Sequence, residues 1–263
     1  MNRYRIYYSG KLLIILRFSL FSIVKQFPDL LQNMPAALQN ISKYYEQPGS
    51  GIRNIVLNQI SLTVSEGDSI AIIGPSGSGK STLLNILGTL DKPSSGKVFL
   101  DGADVHSLTE CHLATIRNQM IGFVFQLHHL LPQLTLIENV LLPLFPVRDK
   151  TFRKDAVERA HHLIERVALT GQIHHLPAQL SVGECQRAAV VRALINKPRL
   201  LLADEPTGSL DAEHARDLGR LFAELNLEYN LAVVVVTHSL ELAEQMGKTY
   251  RLNSGKLNLT ARS

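Results

Sequence analysis

The segment that most constrains the fold of this chain is residues 74–81, which reads Gly-Pro-Ser-Gly-Ser-Gly-Lys-Ser. It fits the phosphate-binding pattern G-x-x-x-x-G-K-[ST] and lies between an apolar run at residues 70–73 and a helix-like segment at residues 82–87. A glycine-rich turn between a strand and a helix aims successive backbone N–H groups at phosphate oxygens, because glycine adopts positive φ and has no Cβ atom. The pattern therefore predicts a site for a nucleoside triphosphate.

The residues of this loop have different predicted roles in binding the triphosphate. Glycines permit the tight turn, and Lys80 is placed to reach the β- and γ-phosphates. The hydroxyl of Ser81 is placed to ligate Mg²⁺, and the start of the following helix adds a partial positive charge. The predicted ATP-binding residues of the loop are Gly74, Pro75, Ser76, Gly77, Ser78, Gly79, Lys80, Ser81 and Thr82.

A second apolar run, residues 199–203, ends in two adjacent acids, Asp204 and Glu205. This form is typical of a buried parallel strand that delivers carboxylates at its carboxyl end, the edge where α/β sheets bind ligands. We expect Asp204 to hold Mg²⁺ and Glu205 to accept a proton from attacking water or to orient it.

Two further apolar runs also end in polar residues. The run at residues 121–125 is followed by Gln126, whose amide can contact Mg²⁺ or the lytic water. The run at residues 231–236 is followed by Thr237 and His238, and His238 is interpreted as a sensor of the γ-phosphate. Both residues are therefore predicted to lie at the same sheet edge as the acids.

Composition excludes several other classes of function. With 263 residues and 45% hydrophobic content the chain can bury one large core. The formal net charge of +4 is carried entirely by residues 1–33, so it is no sign of a nucleic acid partner. Cys111 and Cys185 form no disulfide or zinc pattern, and the paired histidines are interpreted as solvated or packing residues, since neighbours on a helix face different ways.

The first 33 residues differ in composition from the rest. Their apolar run at residues 12–24 is interrupted by Arg17 and is shorter than the roughly 20 residues of a membrane-spanning helix. No small-residue cleavage site of a signal peptide follows it. A membrane-surface helix and a segment without a native role both stay open, and Met34 is interpreted as the biological start. We expect residues 1–33 to be an extension and residues 34–263 to be the nucleotide-binding domain.

Residues 180–187 read Leu-Ser-Val-Gly-Glu-Cys-Gln-Arg and resemble the signature L-S-G-G-[QE]-x-Q-R of the ABC transporters. Together with the phosphate-binding loop, they make the chain resemble an ABC transporter ATP-binding subunit over residues 38–259. The resemblance assigns family roles, in chain order, to the Q-loop residue Gln126, the Walker B residues Asp204 and Glu205, the D-loop residue Asp211 and the switch residue His238.

The resemblance also implies roles for Ser181 and Gly183, which would face the γ-phosphate. Tyr45 would stack on adenine, with Tyr44 as the alternative. One departure is Val182, where the family usually has glycine. A β-branched residue would be strained if that position required positive φ. Cys185 replaces the usual glutamine, which is a milder change on a helix.

The fold implied by the resemblance is α/β, a P-loop NTPase of ABC type. We expect a mixed central sheet with flanking helices and an inserted helical subdomain at about residues 135–180. An N-terminal antiparallel β portion is expected from residues 38–43, 60–64 and 97–100. The family works as a dimer, most simply a homodimer, that sandwiches two ATP molecules with Mg²⁺. It drives integral membrane permease subunits and lies peripherally at the cytoplasmic face of the bacterial inner membrane.

Within the family, residues 122–132, 138–140 and 176–181 resemble the lipoprotein-releasing and macrolide-exporter group. Lipoprotein release or a related export process is therefore the expected function. A non-transport regulator of cell-envelope or division machinery stays open as an alternative. A DNA-repair type ATPase is less favoured, because the 54 residues between Gln126 and Ser181 are too few for long coiled-coil arms.

Overall fold

The computed structural model describes residues 34–46 and 53–262 of the chain. The interpretations of residues 1–33, including the membrane-surface helix, lie outside the described residues. In the described ranges, no helix combines the length and the apolar composition that crossing a membrane requires.

An antiparallel sheet forms the N-terminal side of the molecule, as predicted. Its strand order is β2-β1-β4-β5, and the first two strands run beyond the predicted residues 38–43 and 60–64 because their backbone pairing continues to Glu46 and Arg53. The four strands are β1 (Ala36–Glu46), β2 (Arg53–Val64), β4 (Ser95–Leu100) and β5 (Ala103–Asp104).

The central sheet has six strands in the order β10-β9-β3-β8-β7-β6. Five strands are parallel, and β10 pairs antiparallel with β9, which makes the sheet mixed, as predicted. The carboxyl ends of β3, β6, β7 and β8 therefore lie along one edge. The six strands are β3 (Ser69–Ile73), β6 (Ile121–Phe125), β7 (Leu200–Asp204), β8 (Ala232–Thr237), β9 (Lys248–Asn253) and β10 (Lys256–Arg262).

Helices cover the central sheet and fill the segment between β6 and β7. They are α1 (Lys80–Leu87), α2 (Glu110–Met120), α3 (Leu136–Leu141), α4 (Lys150–Arg166), α5 (Val182–Leu194), α6 (Ala212–Tyr229) and α7 (Leu240–Glu244). Short 3₁₀ turns occur at Val105–Ser107, Leu142–Leu144, Thr170–Gln172 and Pro177–Gln179.

Residues 135–180 hold α3, α4 and three of the short turns, and α3 packs against both α4 and α5. Thr135 and Glu138 form a capping box that starts α3, and the carboxylate of Asp149 accepts two backbone N–H groups at the start of α4. The observed helices are those expected of a helical subdomain. Its boundaries, and the division of the chain at residue 34, stay predictions.

Successive side chains of the buried strands point to opposite faces of the central sheet, so the interior consists of two cores. On β3, Ala71 and Ile73 face a core shared with α3 to α6, whereas Ile70 and Ile72 face a core shared with α1 and the antiparallel sheet. Because both faces of the central sheet are covered, its strands read as continuous apolar runs. The turn that leaves β3 is therefore held rigidly between two packed layers.

Candidate nucleotide-binding and hydrolysis site

The phosphate-binding loop connects β3 to α1. Gly77 and Gly79 adopt φ of +74° and +97°, which glycine tolerates without strain. Gly74 is required for another reason, since a Cβ atom there would lie 2.3 Å from the carbonyl oxygen of Leu252 in β9. Helix α1 begins without a side-chain cap and without an acid in its first turn, so its first N–H groups are left for an anion.

Lys80 lies inside the loop rather than in solvent. Its side chain is buried, and Nζ donates to the carbonyl oxygens of Gly74 at 3.0 Å and Pro75 at 3.2 Å. The same Nζ lies 3.6 Å from Oε1 of Glu205. The ammonium group is thus held at the base of the loop, within reach of both a phosphate and the catalytic candidate.

Glu205 directly follows β7 and has an unusual backbone. Its φ is +46°, a left-handed conformation that is rare for a residue with a side chain and recurs at functional sites. Its backbone N–H donates to the carbonyl oxygen of Val236, and its Oε2 accepts from the backbone N–H of His238 at 3.1 Å. Nδ1 of the His238 ring also lies 2.8 Å from Oε2. The carboxylate is therefore fixed by the backbone and ring of His238 after β8 and by Lys80.

Asp204 and Ser81 form the part of the site suited to a divalent cation. The Ser81 hydroxyl donates to Oδ1 of Asp204 at 3.0 Å. Burial raises the pKa of Asp204 and the charge of Glu205 raises it further, while Ser81 and Lys80 act in the opposite direction. A carboxylate that is held at a desolvation cost beside a hydroxyl is a fitting ligand pair for Mg²⁺, which prefers oxygen ligands.

Gln126 enters the same cleft from the end of β6. Its side chain lies over Gly208, where a Cβ atom would be only 2.8 Å from Nε2 of Gln126. Absence of a side chain at Gly208 therefore lets Gln126 approach the loop that follows Glu205. The open cleft has a volume of about 480 Å³ and is lined by Val56, Ser76, Gly77, Gly79, Lys80, Ser81, Thr82, Gln126, Glu205 and His238.

Ser181, Gly183 and Asp211 are absent from the described residues that line this cleft. Ser181 caps α5 by accepting from the N–H of Glu184, whose carboxylate accepts in return from the N–H of Ser181. Asp211 caps α6 in a similar way. The structure brings these three residues to the starts of two helices and not to the phosphate-binding loop of the same chain.

Val182 does not adopt positive φ, so the condition under which a β-branched residue would be strained here is not met. It is the first residue of α5 and has helical backbone angles, outside the positive-φ residues of the chain. Its side chain is half exposed and so does not interfere with the core. The other departure, Cys185, is buried on α5 and contacts the carbonyl oxygen of Pro177, and burial raises the pKa of its thiol.

Neither tyrosine lines the cleft among the described residues. The hydroxyl of Tyr45 donates to Oδ2 of Asp91 at 3.3 Å, and Nζ of Lys43 lies over its ring. The ring of Tyr44 packs against the guanidinium of Arg53. The adenine-stacking role of Tyr45, with Tyr44 as the alternative, stays a prediction.

We term residues 126–135, which begin at Gln126, the Q-loop segment. Three residues that were not predicted from the sequence bond the backbone of this segment or of the residue before it. The guanidinium of Arg192 donates to the carbonyl oxygens of His128 and His129 at 2.7 and 2.6 Å. Asn139 is fully buried and bonds the N–H and the carbonyl of Leu131. Just before the segment, Gln186 donates to the carbonyl oxygen of Phe125 at 2.8 Å.

A signal for these residues was partly present in the sequence. A polar residue on a helix face that is otherwise apolar, such as Asn139 or Gln186, indicates a buried hydrogen bond. The sequence gives no indication of which backbone group accepts it.

Comparison with known proteins places these features in context. The family model described as ABC transporter matches residues 57–208. The lipoprotein-releasing system ATP-binding protein LolD of Shewanella frigidimarina is 49% identical over 225 residues, which span 85% of this chain and 92% of that protein. The macrolide export ATP-binding/permease protein MacB of Rhodopirellula baltica is 48% identical over 76% of this chain, which corresponds to 29% of that protein.

Solved structures show the same similarity. A dimeric bacterial ABC transporter cassette superposes with a TM-score of 0.76 at 38% identity, covering 85% of this chain and 96% of that one. The same cassette in a post-hydrolysis state, dimeric and bound to ADP and Pi, superposes with a TM-score of 0.74 at 37% identity, covering 86% and 98% of the two chains.

Proposed function

Because this chain belongs to the ABC transporter family of ATP-binding proteins, we propose that it is the ATP-hydrolysing subunit of a lipoprotein-releasing membrane complex. The observation that carries the proposal is the fixed position of Glu205 between His238, Lys80 and the phosphate-binding loop. Relatives that this chain matches over nearly their whole length are named for lipoprotein release, which supports transport over a regulatory role.

Binding of the triphosphate relies on the backbone and on Lys80. The uncapped start of α1 and the glycine turn point N–H groups at the phosphates, while Lys80 adds a full positive charge. Ser81, Asp204 and Gln126 would hold Mg²⁺, which when bound neutralises phosphate charge and orients the β- and γ-oxygens. Tyr45 would stack on the adenine.

Hydrolysis requires that water attack the γ-phosphorus and lose a proton. Glu205 accepts that proton as general base, the bond between the γ-phosphorus and the bridging oxygen breaks, and ADP and phosphate are released. His238 holds the carboxylate in the required orientation through two contacts, one from its backbone and one from its ring. Gln126, which follows the neighbouring strand β6 and lines the same cleft, positions the water.

The working unit is proposed to be a homodimer. Ser181, Gly183 and Asp211 lie apart from the cleft of their own chain, so they are free to close over the ATP of a second copy. A related cassette is dimeric in its solved structure, which supports this arrangement. Each of the two sites would then combine the phosphate-binding loop of one subunit with the signature segment of the other.

The membrane partners are proposed to be integral permease subunits that place this chain at the cytoplasmic face of the bacterial inner membrane. A groove of about 410 Å³ lies beside the Q-loop segment and includes Phe123, Phe125 and Arg192. Leu127 and Phe145, close by in the chain, expose 68% and 86% of their surface, which is unusual for large apolar residues in a water-facing position. A permease segment seated there would contact the residues that follow Gln126.

Glu205→Gln tests the proposal. The amide preserves shape and cannot take up the proton, so hydrolysis should fall roughly 10²–10⁴-fold while ATP still binds. An ATP-dependent dimer should accumulate, as measured by light scattering after size-exclusion chromatography. Lys80→Ala in the same assay should bind ATP poorly and stay monomeric. Wild-type turnover by Glu205→Gln would remove Glu205 from the reaction and overturn the proposed mechanism.

A further inference from the structure

His214 is a residue of the candidate site region that the proposed chemistry leaves unused. It is the third residue of α6, and its backbone N–H donates to Oδ1 of Asp211 at 2.9 Å. Nδ1 of its ring lies 2.8 Å from both carboxylate oxygens of Asp211. Because a carboxylate only accepts, Nδ1 carries the proton in this contact. One residue therefore holds the D-loop carboxylate by both backbone and side chain.

The other edge of the same ring lies against the signature segment. A Cβ atom on Gly183 would lie 3.0 Å from Cδ2 of His214, closer than ordinary van der Waals contact. The imidazole thus occupies the space that a side chain at position 183 would need. Gly183 is buried, whereas 45% of the His214 side chain is exposed, so the ring bridges from the signature helix to the surface.

We propose that His214 is a positioning residue that ties Asp211 of the D-loop to Gly183 of the signature segment within one subunit. This inference rests on the proposed dimer, in which both elements face the ATP of the second copy. With His214 in place the D-loop and the signature segment face the second copy as one unit, and formation of the dimer orders both together. Without it each must be ordered separately when the dimer forms, which costs conformational entropy.

The electrostatics of the contact agree with this role. The backbone N–H and the ring of His214 are the two main causes that lower the pKa of Asp211, so its carboxylate is ionised and available as an acceptor at neutral pH. A polar contact that is largely exposed to solvent contributes little to the stability of a single subunit. Its effect is therefore expected in closure of the dimer and not in folding.

Two substitutions separate the hydrogen bond from the packing. In His214→Asn the amide Nδ2 replaces the ring Nδ1 and keeps a donor for Asp211, while Oδ1 takes the position of the ring Cδ2 beside Gly183. In His214→Leu the side chain still covers Gly183 but donates nothing. Both are placed in the Glu205→Gln background, and ATP-dependent dimerisation is measured by sedimentation at several protein concentrations. ATPase rates are measured in the background with Glu205 intact.

We expect His214→Leu to weaken ATP-dependent dimerisation and to lower kcat, each by roughly tenfold, the scale of one lost charge-assisted hydrogen bond. The KM for ATP and the melting temperature of the empty subunit should stay unchanged, because the phosphate-binding loop and the core are untouched. His214→Asn should recover dimerisation to within about twofold of the parent.

His112→Leu is the matched control. His112 is also the third residue of its helix, α2, and its N–H bonds the cap residue Thr109, but it contacts none of the site residues described above. It should leave dimerisation unchanged. Normal dimerisation of His214→Leu, or equal weakness of His214→Asn, would overturn the inference alone. Failure of the parent Glu205→Gln to dimerise with ATP would overturn the proposed function, and this inference with it.

Discussion

Asp204 shows how a single residue of the site lowers the stability of the empty protein. Burial is the main cause that raises its pKa, and the neighbouring charge of Glu205 adds to the effect. A carboxyl whose pKa is higher in the folded state binds its proton more tightly when folded. Above the folded-state pKa, where the group is ionised in both states, it therefore opposes folding. A cation bound beside Asp204 would remove this cost.

Asp204→Asn should stabilise the empty protein at pH 7 while abolishing Mg²⁺-dependent ATPase activity. The amide retains an acceptor for Ser81 and has no charge to desolvate. Each kcal/mol gained corresponds to a rise in Tm of roughly 2–4 °C for a domain of this size. The gain over wild type should shrink as pH falls through the folded-state pKa of Asp204, where the native acid becomes protonated.

Thermal unfolding without nucleotide, followed at several pH values, measures this difference. Asp217→Asn is the control, because Asp217 is an exposed residue of α6 that pairs with Arg220. A Tm of Asp204→Asn equal to or below that of wild type at pH 7 would show that burial of the charge carries no cost.

Val182→Gly should not accelerate ATP hydrolysis. Val182 already has a helical backbone, so glycine relieves no strain at this position. Glycine instead adds conformational freedom at the start of α5, and glycine within helices is less favourable than alanine by about 1 kcal/mol. We expect the ATPase rate to stay within about twofold of wild type in a steady-state assay. A several-fold increase would indicate that the closed dimer demands a different backbone conformation.

At the scale of elements, α5 connects the signature segment to the Q-loop segment. Gln186 donates to the last backbone carbonyl of β6. Arg192, six residues later on the same helix, donates to backbone carbonyls of the Q-loop segment. Arg192 is partly buried and has no carboxylate partner among the described residues, and desolvation lowers its pKa. A shift of α5 would therefore move the residues beside Gln126. This linkage offers a physical route between the groove beside the Q-loop segment and the cleft.

Asn139→Ala should destabilise the protein markedly. Its side chain is fully buried and bonds the N–H of Leu131 and the carbonyl oxygen of Leu134, which alanine would leave without these partners. Each buried group left unsatisfied costs about 1–3 kcal/mol. Tm measured by circular dichroism should fall by several degrees, whereas Asn258→Ala, at an exposed position of β10, should change it little. Equal Tm values for the two variants would contradict the buttressing role of Asn139.

Local patterns were sufficient to predict the strands that end in Gln126, Asp204 and His238, since apolar runs and their polar ends are properties of short segments. The contacts of Arg192 and His214 could not be predicted, because they depend on which distant backbone lies nearby. The requirement for Gly74 was attributed to a tight turn, whereas its cause is the close approach of Leu252 from another strand. A contact between residues far apart in the chain cannot be predicted from the residues next to either of them.

At the scale of the whole molecule, the described residues supply both cores and every side chain assigned to the cleft. The central sheet is covered on one side by α3 to α6 and on the other by α1 and the antiparallel sheet. Strand β1 starts at Ala36 and pairs with β2 and β4 on its two sides.

Removal of residues 1–33 should leave ATP binding, dimerisation and docking to the permease unchanged. A membrane-surface helix would behave differently, because its basic side chains would attract anionic lipid. Cosedimentation with anionic vesicles at low salt, with full-length and shortened proteins compared, measures this directly. A large loss of vesicle binding on truncation would establish a membrane role for the segment, and reduced ATP binding would show a role in the nucleotide site.

The position of β3 in the sheet has a consequence for the order in which the protein matures on the ribosome. β3 carries the phosphate-binding loop, yet both of its neighbours, β8 and β9, lie much later in the chain and are translated long after it. At typical elongation rates of about 5–20 residues per second, the nascent loop waits on the order of ten seconds for these strands. A stalled or truncated nascent chain therefore displays the complete nucleotide motif without the support that lets it hold ATP.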